Sequence, residues 1–193
     1  MLIRLNTRQS HMAQLGSIQS VRDQLKEYGD RLKGVGYRKW KPEMGFDSGP
    51  PFWIADIEPS LADVKKGGVN CLGLINLIRL HFELPTSQNP FVMLEKRGVL
   101  HEFDRDTQYP FGTLLVRPYR DDNDQGHYAI MWDDGNVLHA HTRLAKGESF
   151  VDVSTEHLTA PGVVVEPLEY SNSWFQPNTY THVCMVGDWL GSN

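Results

Sequence analysis

The sequence predicts an α+β domain in which helices of the first half pack on an antiparallel β-sheet formed by the second half. Before residue 84, apolar residues recur every three or four positions or run together, as they do in helices that bury one side or all sides. After residue 98, short segments rich in β-branched and aromatic residues favour strands. Helices followed by strands, rather than alternating with them, are typical of α+β proteins.

The first predicted helix covers residues 17–33 and has one buried side. Gly34 supplies the permissive backbone that ends it. We expect this helix to belong to an N-terminal helical extension, residues 1–45, followed by one compact domain, residues 46–193. The apolar residues that define its buried side are Ile18, Val21, Leu25, Tyr28 and Leu32.

The second predicted helix, residues 71–84, is apolar on almost every side, so we expect it to be buried at the centre of the fold. Pro85 ends it. Between the two helices, residues 41–59 are rich in Pro, Gly and Asp, which indicates an ordered loop. This loop holds Trp53, which we expect to line a substrate cleft.

Six strands are predicted after the central helix, and the turn residues Asp133–Asn136 predict a hairpin between two of them. Neighbouring antiparallel strands bring His127 and His139 onto one face of the sheet. His141 shares that face because it lies two residues after His139. The predicted strands cover residues 99–103, 113–116, 127–132, 137–141, 163–170 and 182–186.

Cys71 stands at the start of the central helix, directly after Asn70. Unpaired backbone N–H groups and the helix dipole favour an anion there, which predicts a lowered pKa for the thiol. Asn70 is a good N-cap residue for the same turn. A buried, unreactive cysteine on an apolar helix is the structural alternative.

A thiol nucleophile needs a base within hydrogen-bond reach and a third group that orients the base. We predict that His127 is the base and His139 the orienting residue, with His141 as the alternative for the second role. The same three imidazoles, with Asp133 or Asp134, could instead form a metal site.

Three motifs carry a resemblance to a known family: Asn70–Ile75 (NCLGLI), Gly126–Ile130 (GHYAI) and Asp134–Ala140 (DGNVLHA). In order and spacing they resemble the NlpC-type cysteine peptidases of bacterial cell walls and phage tails, which have a papain-like fold. The resemblance covers residues 52–141. It implies that Cys71 is the nucleophile, His127 the base and His139 the orienting residue.

The resemblance also implies a function, the hydrolysis of an amide or isopeptide bond in a peptidoglycan peptide or similar substrate, without a cofactor. Asn70 and Leu72 stand where the family has an Asp and a Ser that recognise the free amine of a muropeptide. We expect Asn70, Leu72, Trp53 and His141 to contact substrate. The departures leave two alternatives open, a hydrolase of acyl lipids or other esters and amides, and a catalytically silent phage-tail or virion protein.

Composition excludes several other classes. The net charge is -5 and the 19 Lys and Arg residues are scattered, so we expect no nucleic-acid partner. No apolar run approaches the roughly 20 residues of a membrane span, and the N-terminus has no signal-peptide pattern. The expected location is therefore cytoplasmic, or in a virion or phage tail. Two cysteines cannot form a disulfide framework.

Overall fold

A computed structural model describes residues 3–38, 57–118, 126–142, 161–169 and 180–191. Within these ranges the helices are α1 (Ile3–Leu32), α2 (Leu61–Gly67), α3 (Cys71–His81), α4 (Pro90–Lys96) and α5 (Val186–Trp189). The strands are β1 (His101–Glu102), β2 (Leu114–Arg117), β3 (His127–Met131), β4 (Asn136–Thr142), β5 (Pro161–Pro167) and β6 (His182–Cys184). The fold is therefore α+β, as predicted, and each of the six predicted strands is present.

The strands form one sheet in the order β1-β6-β2-β3-β4-β5, and every neighbouring pair is antiparallel. The predicted hairpin is confirmed, because β3 pairs with β4 from Ala129–His139 to Met131–Val137. Its turn is one 3-10 turn, in which Asp134 has φ of 53°. An Asp tolerates this left-handed conformation better than most residues, which explains the turn chemistry of the sequence.

The two faces of the sheet bury different groups. Helix α3 packs on β3 and β4. Its apolar residues, with Ile130 and Leu138, belong to the larger of the two apolar clusters, which we call the main core. A second apolar cluster, which includes Ala129 and Val137, covers the other face. Side chains alternate along a strand, so His127 projects on the same face as Ala129, away from most of α3.

Helix α1 is longer than predicted, because it begins at Ile3 rather than at residue 17. Its C-terminal half carries the expected buried side, with Leu25 and Leu32 in the main core.

After α1 the chain joins the edge of the sheet, where the Gly34 N–H donates to the Val163 carbonyl at 2.8 Å. Gly162 has φ of 72°, and a Cβ there would strike the backbone of residues 35 and 36. These contacts hold β5 in place.

Helix α3 ends at His81 rather than at residue 84, because Glu83 takes a left-handed conformation with φ of 56° before Pro85. The predicted loop 41–59 lies outside the described residues except for its last part, 57–59, and so does Trp53. In the described ranges, no helix combines the length and the apolar character that a membrane span requires.

Candidate functional site

The site is built where helix α3 begins. The Asn70 side-chain oxygen accepts a hydrogen bond from the Gly73 N–H at 2.7 Å, so Asn70 is the N-cap, as the sequence predicted. The cap fixes the first turn, which carries Cys71. Cys71 and Leu72 are both partly buried and pack against the main core.

The Cys71 sulfur lies at the end of the β3–β4 ladder. That ladder stops at the Ala129–His139 pair, and the next backbone N–H along β3, that of Tyr128, hydrogen-bonds the sulfur. The N–H groups of Cys71 and Leu72 also point at it. The start of α3 and the start of β3, where His127 stands, therefore meet at the thiol.

The pKa of the Cys71 thiol is raised above its ordinary value, because burial disfavours the thiolate. The surrounding N–H groups and the Arg117 guanidinium lower the pKa, but burial outweighs them. The lowered pKa expected from the helix start alone is therefore wrong in direction. Cys71 rests as a neutral thiol.

Three buried side chains from three successive strands form a hydrogen-bonded chain. His127 Nε2 lies 2.9 Å from His139 Nδ1, and His139 Nε2 lies 2.8 Å from Glu166 Oε1. The same oxygen lies 3.2 Å from His141 Nε2. His127, His139, His141 and Glu166 are 3%, 1%, 4% and 9% exposed, so these contacts are shielded from water.

The carboxylate sets the positions of the protons in this chain. When Glu166 is ionised it only accepts hydrogen bonds, so His139 donates from Nε2. When His139 is neutral, it accepts at Nδ1 and His127 donates from Nε2. In this arrangement the lone pair of neutral His127 lies on Nδ1, and that nitrogen can accept a proton as a general base does.

The pKa of His127 lies well below its ordinary value of 6.5. Burial is the main cause, and repulsion by the protonated forms of His139 and His141 and by Arg117 adds to it. His127 is therefore a neutral imidazole at neutral pH, which can accept a proton.

The structure brings together the three histidines that the sequence singled out, and both candidate orienting residues contact one carboxylate. Glu166 was not among the site residues predicted from the sequence. Its signal was a lone charged residue inside the apolar strand β5, where Glu166 is paired with Val137 on the face that carries His139.

The aspartates proposed as metal ligands are not part of this cluster. Asp133 and Asp134 lie in the exposed hairpin turn at the opposite end of β3 from His127. Asp133 instead pairs with Lys26 at 3.2 Å. The carboxylate that meets His139 and His141 is that of Glu166.

Comparison with models of known protein families and with curated proteins found no match for this chain.

Proposed function

We propose that this chain is a cysteine hydrolase that cleaves an amide or isopeptide bond through an acyl-enzyme on Cys71. The main support is the buried chain from His127 through His139 to Glu166, which leaves a basic nitrogen on His127. A second support is the Tyr128 N–H at the sulfur, which places the thiol at the residue that follows this base along β3. The packing of α3, which begins at Cys71, on an antiparallel sheet also supports the papain-like fold that the NlpC-like motifs imply.

Because the thiol and the imidazole both rest neutral, the proton moves during the attack. His127 Nδ1 takes the Cys71 proton while the sulfur forms a bond to the substrate carbonyl carbon. The imidazolium then protonates the leaving amine, and the C–N bond breaks. Water attacks the thioester with His127 again as base, which releases the acid and restores the thiol.

His139 and Glu166 are positioning residues in this mechanism. Their hydrogen bonds hold the ring of His127 and its tautomer, as the third member of a triad does. The negative charge of Glu166 also favours the imidazolium that forms during the attack. The backbone N–H of Cys71, which points at the sulfur in the resting protein, is the expected donor for the oxyanion that develops on the substrate.

The first candidate substrate is a peptide of the bacterial cell wall, on the resemblance to NlpC-type peptidases. One observation favours a second class, an acyl lipid or another ester or amide. Asn70 is neutral and its oxygen is taken by the Gly73 N–H, while Leu72 packs against the core. Neither side chain supplies the charge that binds a free amine.

Incubation with purified muropeptides and, separately, with acyl-lipid vesicles tests the proposal, with products identified by mass spectrometry. We expect turnover of one class by the parent protein and none by Cys71→Ala or His127→Gln. Cys184→Ala is the matched control, because Cys184 is buried and burial raises its pKa to about 12. Loss of product with Cys184→Ala alone would reject Cys71 as the nucleophile, and no turnover of either class would point to a catalytically silent protein.

A further inference from the structure

We propose that His139, His141 and Glu166 bind a divalent transition metal, with Zn²⁺ as the best fit. We further infer that this metal switches the site off by reversing the tautomer of His127. The metal site stands on its own geometry, whereas the switch rests on the proposed function.

The ligand atoms already converge. One imidazole nitrogen from each histidine and a carboxylate oxygen lie within 4.8 Å of one another. Zinc bonds of about 2.0–2.2 Å in a tetrahedron place ligand atoms about 3.3 Å apart. The separations from Glu166 Oε1 are 2.8 Å to His139 and 3.2 Å to His141, so the first must open by about 0.5 Å. The ligand nitrogens of the two histidines lie within 4.8 Å of each other and must approach the same separation of about 3.3 Å when the metal binds.

The sheet presents this ligand set on adjacent strands. His139 and His141 are two residues apart on β4, so both rings lie on one face, and β5 brings Glu166 to the same face. Two imidazoles and a carboxylate form a common zinc set that leaves one position open for water. Imidazole ligands also favour zinc over calcium or magnesium. The hydrogen bond between His127 and His139 Nδ1 holds the orientation of the His139 ring. Metal-binding histidines are commonly oriented by such a hydrogen bond at the nitrogen that does not bind the metal.

Metal binding reverses the order of donors and acceptors. A neutral His139 that binds zinc through Nε2 carries its proton on Nδ1, so it donates to His127 instead of accepting. His127 then holds its lone pair on Nε2 and its proton on Nδ1. Each ring keeps one proton, and His127 can no longer accept the proton of Cys71.

The charge around the site favours an exchangeable metal over a permanent one. Arg117 is buried and stands opposite His127 in the register of β2 on β3. Its positive charge opposes a bound dication. We therefore expect weaker binding than at a structural zinc site.

Metal binding is tested in Cys71→Ala protein, so that the thiol cannot act as a ligand. Co²⁺ is titrated and followed by its visible absorption, and Zn²⁺ is then added as a competitor. We expect one equivalent of Co²⁺ to bind, with at least about a tenfold loss of affinity in His141→Ala and in Glu166→Gln. His101→Ala, a change at an exposed strand histidine, is the matched control.

Glu166→Gln keeps the size of the side chain and decides the outcome if His141→Ala does not fold. Absence of Co²⁺ binding in Cys71→Ala, or unchanged affinity in Glu166→Gln, would overturn the metal site.

The switch is tested on the same Cys71→Ala protein by NMR of ¹⁵N-labelled histidines, which reports which ring nitrogen carries the proton. We expect the His127 proton on Nε2 without metal and on Nδ1 with Zn²⁺. The same tautomer in both states would overturn the switch. Neither Co²⁺ absorption nor the NMR tautomer depends on turnover. If the Cys71→Ala protein binds metal and changes tautomer while the parent cleaves no substrate, the hydrolase proposal fails and the metal site stands.

Discussion

Replacing Glu166 by Gln isolates the part that the carboxylate plays in positioning the base. The change keeps the shape of the side chain but removes the charge that accepts a hydrogen bond from His139 and lies 3.2 Å from His141 Nε2. An amide can also donate a hydrogen bond to His139, which favours the wrong tautomer of His127. The structure therefore predicts a loss in the chemical step rather than in substrate binding.

The size of the loss follows from the hydrogen bonds involved. Hydrogen bonds to charged groups contribute about 1.5–3 kcal/mol, which corresponds to a fall of roughly 10- to 150-fold in the population with the correct tautomer. We expect kcat to fall by that factor while KM changes little, because Glu166 lies behind two imidazoles at 9% exposure. The free energy of unfolding falls by about 1–3 kcal/mol, since the buried N–H group of His139 loses a charged acceptor.

The assay is the release of nitrophenol from p-nitrophenyl acetate, which acylates a nucleophilic thiol. Glu58→Gln is the matched control, because Glu58 also pairs with a histidine, His81, at 3.2 Å but outside the site. We expect the control to match the parent. A rate for Glu166→Gln within about twofold of the parent, or an equal loss in Glu58→Gln, would refute the positioning role.

Three further predictions concern the frame of the site. Burial raises the pKa of Cys184 to about 12, against an ordinary value of 9.0. Above about pH 9 the unfolded chain therefore loses a proton that the folded protein keeps. The free energy of unfolding then falls by up to about 1.4 kcal/mol per pH unit. Urea unfolding at rising pH should show this slope reduced in Cys184→Ala, and an unchanged slope would contradict it. Asn70→Ala removes the N-cap bond to Gly73 and should lower the free energy of unfolding by about 1 kcal/mol, whereas no change would exclude a stabilising cap. Gly162→Ala should destabilise more than Gly98→Ala in the same measurement, because both glycines have positive φ but only at Gly162 does a Cβ meet backbone atoms; equal losses would contradict this.

Local patterns in the sequence were sufficient for much of this site. The alternation of strand residues placed His139 and His141 on one face, and the turn residues predicted the hairpin that adds His127. Asn70 was recognised as an N-cap because capping depends on neighbours within one turn. Each of these features is set within about 15 residues of chain.

The features that the sequence did not predict depend on distant parts of the chain. Glu166 reaches His139 through the register of β5 on β4, across a sequence separation of 27 residues. The direction of the Cys71 pKa depends on how deeply the fold buries the thiol, which the helix start alone does not set. Helices α2 and α4 have seven residues each, too few to show a helical period.

The most direct test of the account is to locate the acyl group that an activated ester leaves on the protein. Rapid quenching, proteolysis and mass spectrometry assign that group to a residue. We predict acylation of Cys71 in the parent protein, with Cys184 unmodified, and a loss of acylated Cys71 in His127→Gln. Equal acylation of Cys71 in the parent and in His127→Gln, or no acyl group on Cys71 at all, would contradict a thiol activated by this imidazole.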